Sequence, residues 1–181
     1  MTSITFLSVE DVLRIHERAL ARDGGLAGIR DLGLLTSAVM TPQQAFGGAH
    51  LHEDFAAMAG AYLFHLANNH PFLDGNKRVA LAAALVFLLA NGVTINASED
   101  DVADVTLRVA SGRLSKPDLA AWLRSVIHEH AHDPVQRVIL DGLRRQVLCH
   151  ALADQRAHRL LAVLREGLQL LMLTTLELEV E

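Results

Sequence analysis

A chain of 181 residues, 51% hydrophobic and 20% charged, is long enough for one domain with an appendage and too apolar for global disorder. Its net charge of −5 argues against the broad cationic surface that direct nucleic-acid binding rests on. The single cysteine, Cys149, excludes an intrachain disulfide and fits a reducing cytoplasm, the expected location. No basic stretch precedes an apolar core at the start of the sequence, as a secretory signal would require. The longest apolar run, residues 79–90, is too short to cross ~30 Å of hydrocarbon, so no membrane partner is expected.

In chain order, residues 2–7 alternate enough to suggest an extended start or edge strand. Ser8 with Asp11 forms a capping-box-like helix start. The helix that follows carries Val9, Val12, Leu13, Ile15 and Leu20 on its apolar side and ends at Gly24-Gly25. His16 is expected on its polar side. Arg30 and Asp31 open a second helix running through Leu34, Leu35 and Val39. Residues 41–52, with Pro42, Gly47 and Gly48, are too irregular for a helix. Phe55, Met58, Ala59, Tyr62, Leu63 and Leu66 then recur at close to helical spacing after Asp54. Asn68 and Asn69 break that pattern, and Pro71 disfavours helix at His70.

Residues 70–78 read H-P-F-L-D-G-N-K-R. Residues 70–74 are expected as a loop, with Gly75 or Asn76 opening a buried helix that stops at Asn91-Gly92. A helix mouth has unpaired N–H groups and the positive end of the dipole. It is therefore an anion site, to which Lys77 and Arg78 add charge, and Gly75 permits a tight turn or close approach. Taken singly, Asp74 reads as an N-cap and Lys77 and Arg78 as solvated charges. Together, behind a histidine loop, they favour phosphate chemistry. Further on, residues 93–95 are extended, Ser98 with Asp101 caps a helix carrying Val102, Val105, Leu107 and Val109, and Gly112 ends it. Ser115 with Pro117 starts another, bearing Leu119, Trp122, Leu123, Val126 and Ile127, with Trp122 read as core.

The 70–78 stretch resembles the signature of the Fic/Doc superfamily, H-x-F-x-(D/E)-G-N-G-R-x-x-R. His70, Phe72, Asp74, Gly75, Asn76 and Arg78 stand at matching positions. Lys77 replaces the second glycine and Leu81 stands where Fic enzymes carry a second arginine. Both departures are those of the death-on-curing (Doc) branch. The segments F-L-S-V-E-D-V from Phe6, G-G-L-A-G-I-R-D from Gly24, P-Q-Q-A-F-G-G from Pro42 and A-S-G-R-L-S from Ala110 extend the likeness over roughly residues 4–127. The resemblance implies an all-α, Fic-like helical bundle with a short β-hairpin flap at residues 41–52. In that family the flap docks the target peptide; an ordinary surface loop is an equal reading here.

The function implied is that of a toxin in a type II toxin–antitoxin pair. It would be a kinase moving the terminal phosphate of ATP to a hydroxyl of a translation protein, elongation factor Tu by resemblance, with a small antitoxin as partner. His70 would be the general base, since histidine ordinarily titrates near neutrality. Asp74 would hold Mg²⁺ or orient the nucleotide. Asn76 and the backbone at Gly75 would bind phosphate oxygens, and Lys77 and Arg78 would offset charge on the moving group. Phe72 would pin the loop, and Arg30 would shape the site while Asp31 caps. AMP transfer, which Gly75 keeps open, a non-catalytic nucleotide- or partner-binding module and a purely structural protein are the rival readings.

The expected division is a Fic/Doc domain at 1–127 and an added C-terminal helical segment at 128–181. That segment would cover the core, form a homodimer or plug the cleft. H-x-H-x-H-D from His128 reads as a polar junction, with a metal site as the lesser reading. Residues 162–167, A-V-L-R-E-G, half-resemble a Fic inhibitory motif, but Glu166 reads as a solvated charge.

Overall fold

The computed structural model describes residues 4–129, which lie in one compact unit, Met1–Glu129. Six helices carry it: α1 (Val9–Asp23), α2 (Leu32–Met40), α3 (Phe55–Asn69), α4 (Asn76–Ala90), α5 (Glu99–Ala110) and α6 (Lys116–Val126). Four short strands, β1 (Ala45–Phe46), β2 (Ala49–His50), β3 (Val93–Ile95) and β4 (Ile127–Glu129), pair in two antiparallel two-stranded sheets. The all-α expectation holds, with the hairpin flap in its expected place.

The helices begin where their capping residues lie. The Ser8–Asp11 box closes in both directions at α1. Asp31, Asp54, Ser98 and Ser115 each accept the N–H three residues on, satisfying a donor that the helix itself cannot. Asp31 is thus the cap it was read as. α3 is the axis of the fold. It buries Ala56, Met58, Ala59, Gly60, Ala61, Tyr62, Leu63, Leu66 and Ala67, so it is covered on nearly every side. Small residues let neighbours come close: a Cβ on Gly60 would stand 3.5 Å from Leu123 of α6. α4 packs along α3 and buries Val79, Ala80, Ala83, Ala84, Val86, Phe87, Leu88, Leu89 and Ala90. Trp122 is half-buried against this core.

Two expectations change. Residues 4–7 form no strand; side chains hold them instead. Asn91 exchanges two hydrogen bonds with the Thr5 backbone, 2.8 and 2.9 Å, and the Leu7 N–H donates to the Tyr62 hydroxyl at 3.0 Å. Burial of that phenol pushes its pKa up to about 12. A short segment gains more from buried polar groups on α3 and α4 than from a ladder with no neighbouring strand. The second change is His16, which is 5% exposed and not on a polar face.

β3 finds its partner in β4, with Thr94 opposite His128. That strand crosses the 127/128 line drawn from the sequence. His130, His132, Asp133, Cys149, Glu166 and the expected helical segment lie outside the described residues. No described helix is long and apolar enough to cross a membrane.

Candidate active site

The site is built where α3 ends and α4 begins. His70 takes the C-cap of α3 with φ 48 and ψ 55, the one described non-glycine residue with positive φ. Pro71 disfavours right-handed helix there, and the chain turns left-handed, at a cost of about 1–2 kcal/mol. The neighbouring segment holds it so. The Pro71 carbonyl accepts the N–H of Arg30 at 2.8 Å and of Asp31 at 3.1 Å, and Leu73 N–H donates to Gly28 O at 3.0 Å. Arg30 also donates from Nη2 to the Asn69 carbonyl at 2.7 Å, a cation on the negative end of α3. The His70 ring is left exposed at the surface.

Phe72 is 1% exposed and pins the loop to the core. The Asn76 amide closes the loop across it: Oδ1 accepts the Phe72 N–H at 2.9 Å and Nδ2 donates to the Phe72 carbonyl at 2.9 Å. One N–H of that amide remains for a ligand. Asp74 is not the cap of α4. The N-cap is Gly75, left-handed at φ 79 and without a side-chain cap, a backbone that suits glycine. The Asp74 Oδ1 accepts the Gly75 N–H at 2.6 Å, and Oδ2 the Leu26 N–H at 3.4 Å. Those two amides hold its carboxyl below the usual carboxylate range.

The cations divide. Arg78 donates to the carbonyls of Ala19 at 3.2 Å and Gly24 at 3.0 Å, and lies 3.5 Å from Asp23 and 3.7 Å from Asp74. It locks the end of α1 to the motif. Lys77 is exposed on the first turn of α4. Among the described residues it makes no ion pair, so its charge faces solvent at the helix mouth. Asp74, exposed and with lone pairs to spare, fits a hard divalent cation that takes its other oxygens from a polyphosphate. Leu81 is half-buried against the core.

Residues 45–50 form the hairpin, with Ala45 opposite His50 and Phe46 opposite Ala49. Gly47 at φ 60 and Gly48 at φ 84 supply the two positive-φ positions of a tight primed turn. Phe46 is 83% exposed.

His16 escaped the sequence reading. It stacks on Phe72 with ring centroids 3.9 Å apart and planes at 11°, and its Nε2 lies 3.0 Å from the Asp74 carbonyl. A signal was there: steps of four, three and four from Val9 through Leu13 to His16 and Leu20 put it on the apolar stripe.

These features define a helical protein with an exposed histidine beside a helix mouth that carries a solvent-facing lysine. A family model described as Fic/DOC family matches residues 6–88. "Protein kinase doc" of Escherichia phage P1 is 36% identical over 118 residues, 65% of this chain and 92% of the relative. "Toxin Doc" of Mycolicibacterium smegmatis (strain ATCC 700084 / mc(2)155) is 43% identical over 95 residues, 52% of this chain and 71% of the relative. The chain belongs to the Fic/DOC family, and both of these relatives carry the Doc name.

Proposed function

We propose that this protein is a Doc-type toxin that transfers the terminal phosphate of ATP to a hydroxyl of a translation protein, elongation factor Tu by resemblance, and is restrained by an antitoxin. The observation that carries the reading is the pairing of an exposed His70 with an α4 mouth whose Lys77 faces solvent. The relative named as a kinase supports it. His70 takes the proton of the target hydroxyl as that oxygen bonds to the γ-phosphorus; the bond to the β-phosphate oxygen breaks and ADP leaves. Phosphoryl transfer asks mainly for positioning and charge stabilisation. Amides of the first turn of α4 and the Asn76 amide hold phosphate oxygens, and Lys77 offsets charge on the moving group. Arg78 contributes chiefly by fixing the loop, since its guanidinium is already engaged. Mg²⁺, held by Asp74, would supply charge neutralisation on the polyphosphate.

Gly75 favours a second reading, AMP transfer, because Fic enzymes carry glycine there. Leu81, half-buried where those enzymes place an arginine, weighs against it. A lysate incubated with the protein and ATP labelled at the α- or γ-phosphate separates the two. Label from the γ-position on a threonine or serine of a translation factor is expected; label from the α-position would replace this reading with the second. No transfer of either label by the wild type would remove both.

A further inference from the structure

The floor beneath the motif loop is one imidazole. His16 is buried, lies flat on Phe72, and its Nε2 stands 3.0 Å from the Asp74 carbonyl oxygen. That oxygen can only accept, so Nε2 carries the hydrogen. The ring also borders Gly75, where a Cβ would stand 3.5 Å from Cδ2 and 3.7 Å from Nε2. The Asp74 carbonyl and the Gly75 N–H are two ends of one rigid peptide plane. That N–H is the donor at 2.6 Å to the Asp74 carboxylate. A hold on the carbonyl therefore aims the N–H, and the N–H holds the carboxylate. A histidine kept only for its volume would need no such bond.

We propose that His16 is a positioning residue for Asp74: through the Asp74–Gly75 peptide it sets the direction in which that carboxylate faces the helix mouth. The proposal rests on the reading of Asp74 as the group that holds the metal or orients the nucleotide. It adds a residue on a different helix, 58 positions away, to the machinery of the site.

The test compares His16→Phe, which keeps a flat ring and loses the donor, with His16→Gln, which keeps an N–H donor and loses the ring. Three quantities are read on the full chain: the titration of the Asp74 carboxyl by carbon NMR, the affinity for Mn²⁺ with ADP by calorimetry, and the melting temperature. In His16→Phe the Asp74 titration is expected to move up toward the ordinary carboxylate value. Mn²⁺·ADP binding should weaken about tenfold, the scale seen for supporting partners of metal ligands. His16→Gln should restore both, which separates the hydrogen bond from the ring. An Asp74 titration in His16→Phe equal to that of wild type would overturn the proposal, as would a His16→Gln protein no better than His16→Phe. Should His16→Phe fail to fold, His16→Gln decides alone: a wild-type titration supports the proposal and a raised one sinks it. The carboxyl titration needs neither metal nor turnover. A wild type that transfers no phosphate, with Asp74 still displaced in His16→Phe, would refute the kinase reading and leave this one standing.

Discussion

Two loops stand before and after α3 in the chain, and they are held in opposite ways. Residues 70–75 are stitched down on every side. Pro71 and Leu73 bond to the segment before α2, Phe72 is stacked and closed over by Asn76, and Asp74 is tied to its own following amide. The hairpin at 45–50 has a two-pair ladder of its own, one further bond from Leu51 N–H to Gln44 O, and an exposed Phe46 at its edge. The chemistry-bearing loop is preorganised, as a site that must hold charged oxygens requires. The hairpin keeps unpaired strand edges open, which is what an element that pairs with an incoming peptide needs.

Substitutions can break this contrast at either end. The largest effect on stability is expected from Phe72→Ala, which removes a buried ring and the stack on His16 and should cost about 3–5 kcal/mol by urea denaturation. A loss below ~1 kcal/mol would mean the loop is not anchored by that ring. The largest effect on turnover belongs to His70→Asn, whose side chain suits the left-handed backbone. Phosphate transfer should fall on the order of 10²–10⁴-fold while the urea midpoint stays in place. Full activity would remove His70 as base. Next comes Asn76→Ala, which strips two hydrogen bonds from Phe72 and should cost about 1–3 kcal/mol.

The hairpin side answers to pH. Near its foot, burial holds both His52 and His65 below the ordinary histidine range, with Lys116 adding repulsion; Lys116 Nζ lies 3.3 Å from His65 Nε2. The fold favours the neutral rings, so the unfolded chain binds more protons as pH drops below about 6.5. Stability from this pair is present above that pH and is lost on acidification through the lowered folded values. Thermal melts should show a falling midpoint between pH 7 and pH 5, and a flatter limb in a His52→Gln, His65→Gln protein. The smallest effect is expected from Phe46→Ser: stability should change by no more than about 0.5 kcal/mol, while KM for the protein target rises and that for ATP does not.

Much of this was legible in the residues, for physical reasons. Helix starts at Ser8, Asp31, Asp54, Ser98 and Ser115 followed from side chains able to accept an orphan N–H. The loop at 70–74 followed from Pro71 and the flanking apolar runs. Three features were hidden, two of them because they depend on partners far along the chain and the third because residue type does not say what a polar side chain will bond. His16 was misjudged because a polar residue on an apolar stripe looks like an exception until its acceptor is known. Residues 4–7 looked like a strand, but their partners are Asn91 and Tyr62 side chains. Asn76 and Arg78 stand in a motif that suggests ligand contact, yet their strongest bonds hold the motif itself together.

The left-handed turn at His70 carries a consequence for any survey of sequence variants. Few side chains tolerate that backbone, glycine and asparagine best among them. A saturation library at this codon sorted only for soluble expression should drift toward glycine and asparagine. The same library sorted for turnover should return histidine. The distance between those two sorted populations would measure how far the fold yields to the reaction at a single residue.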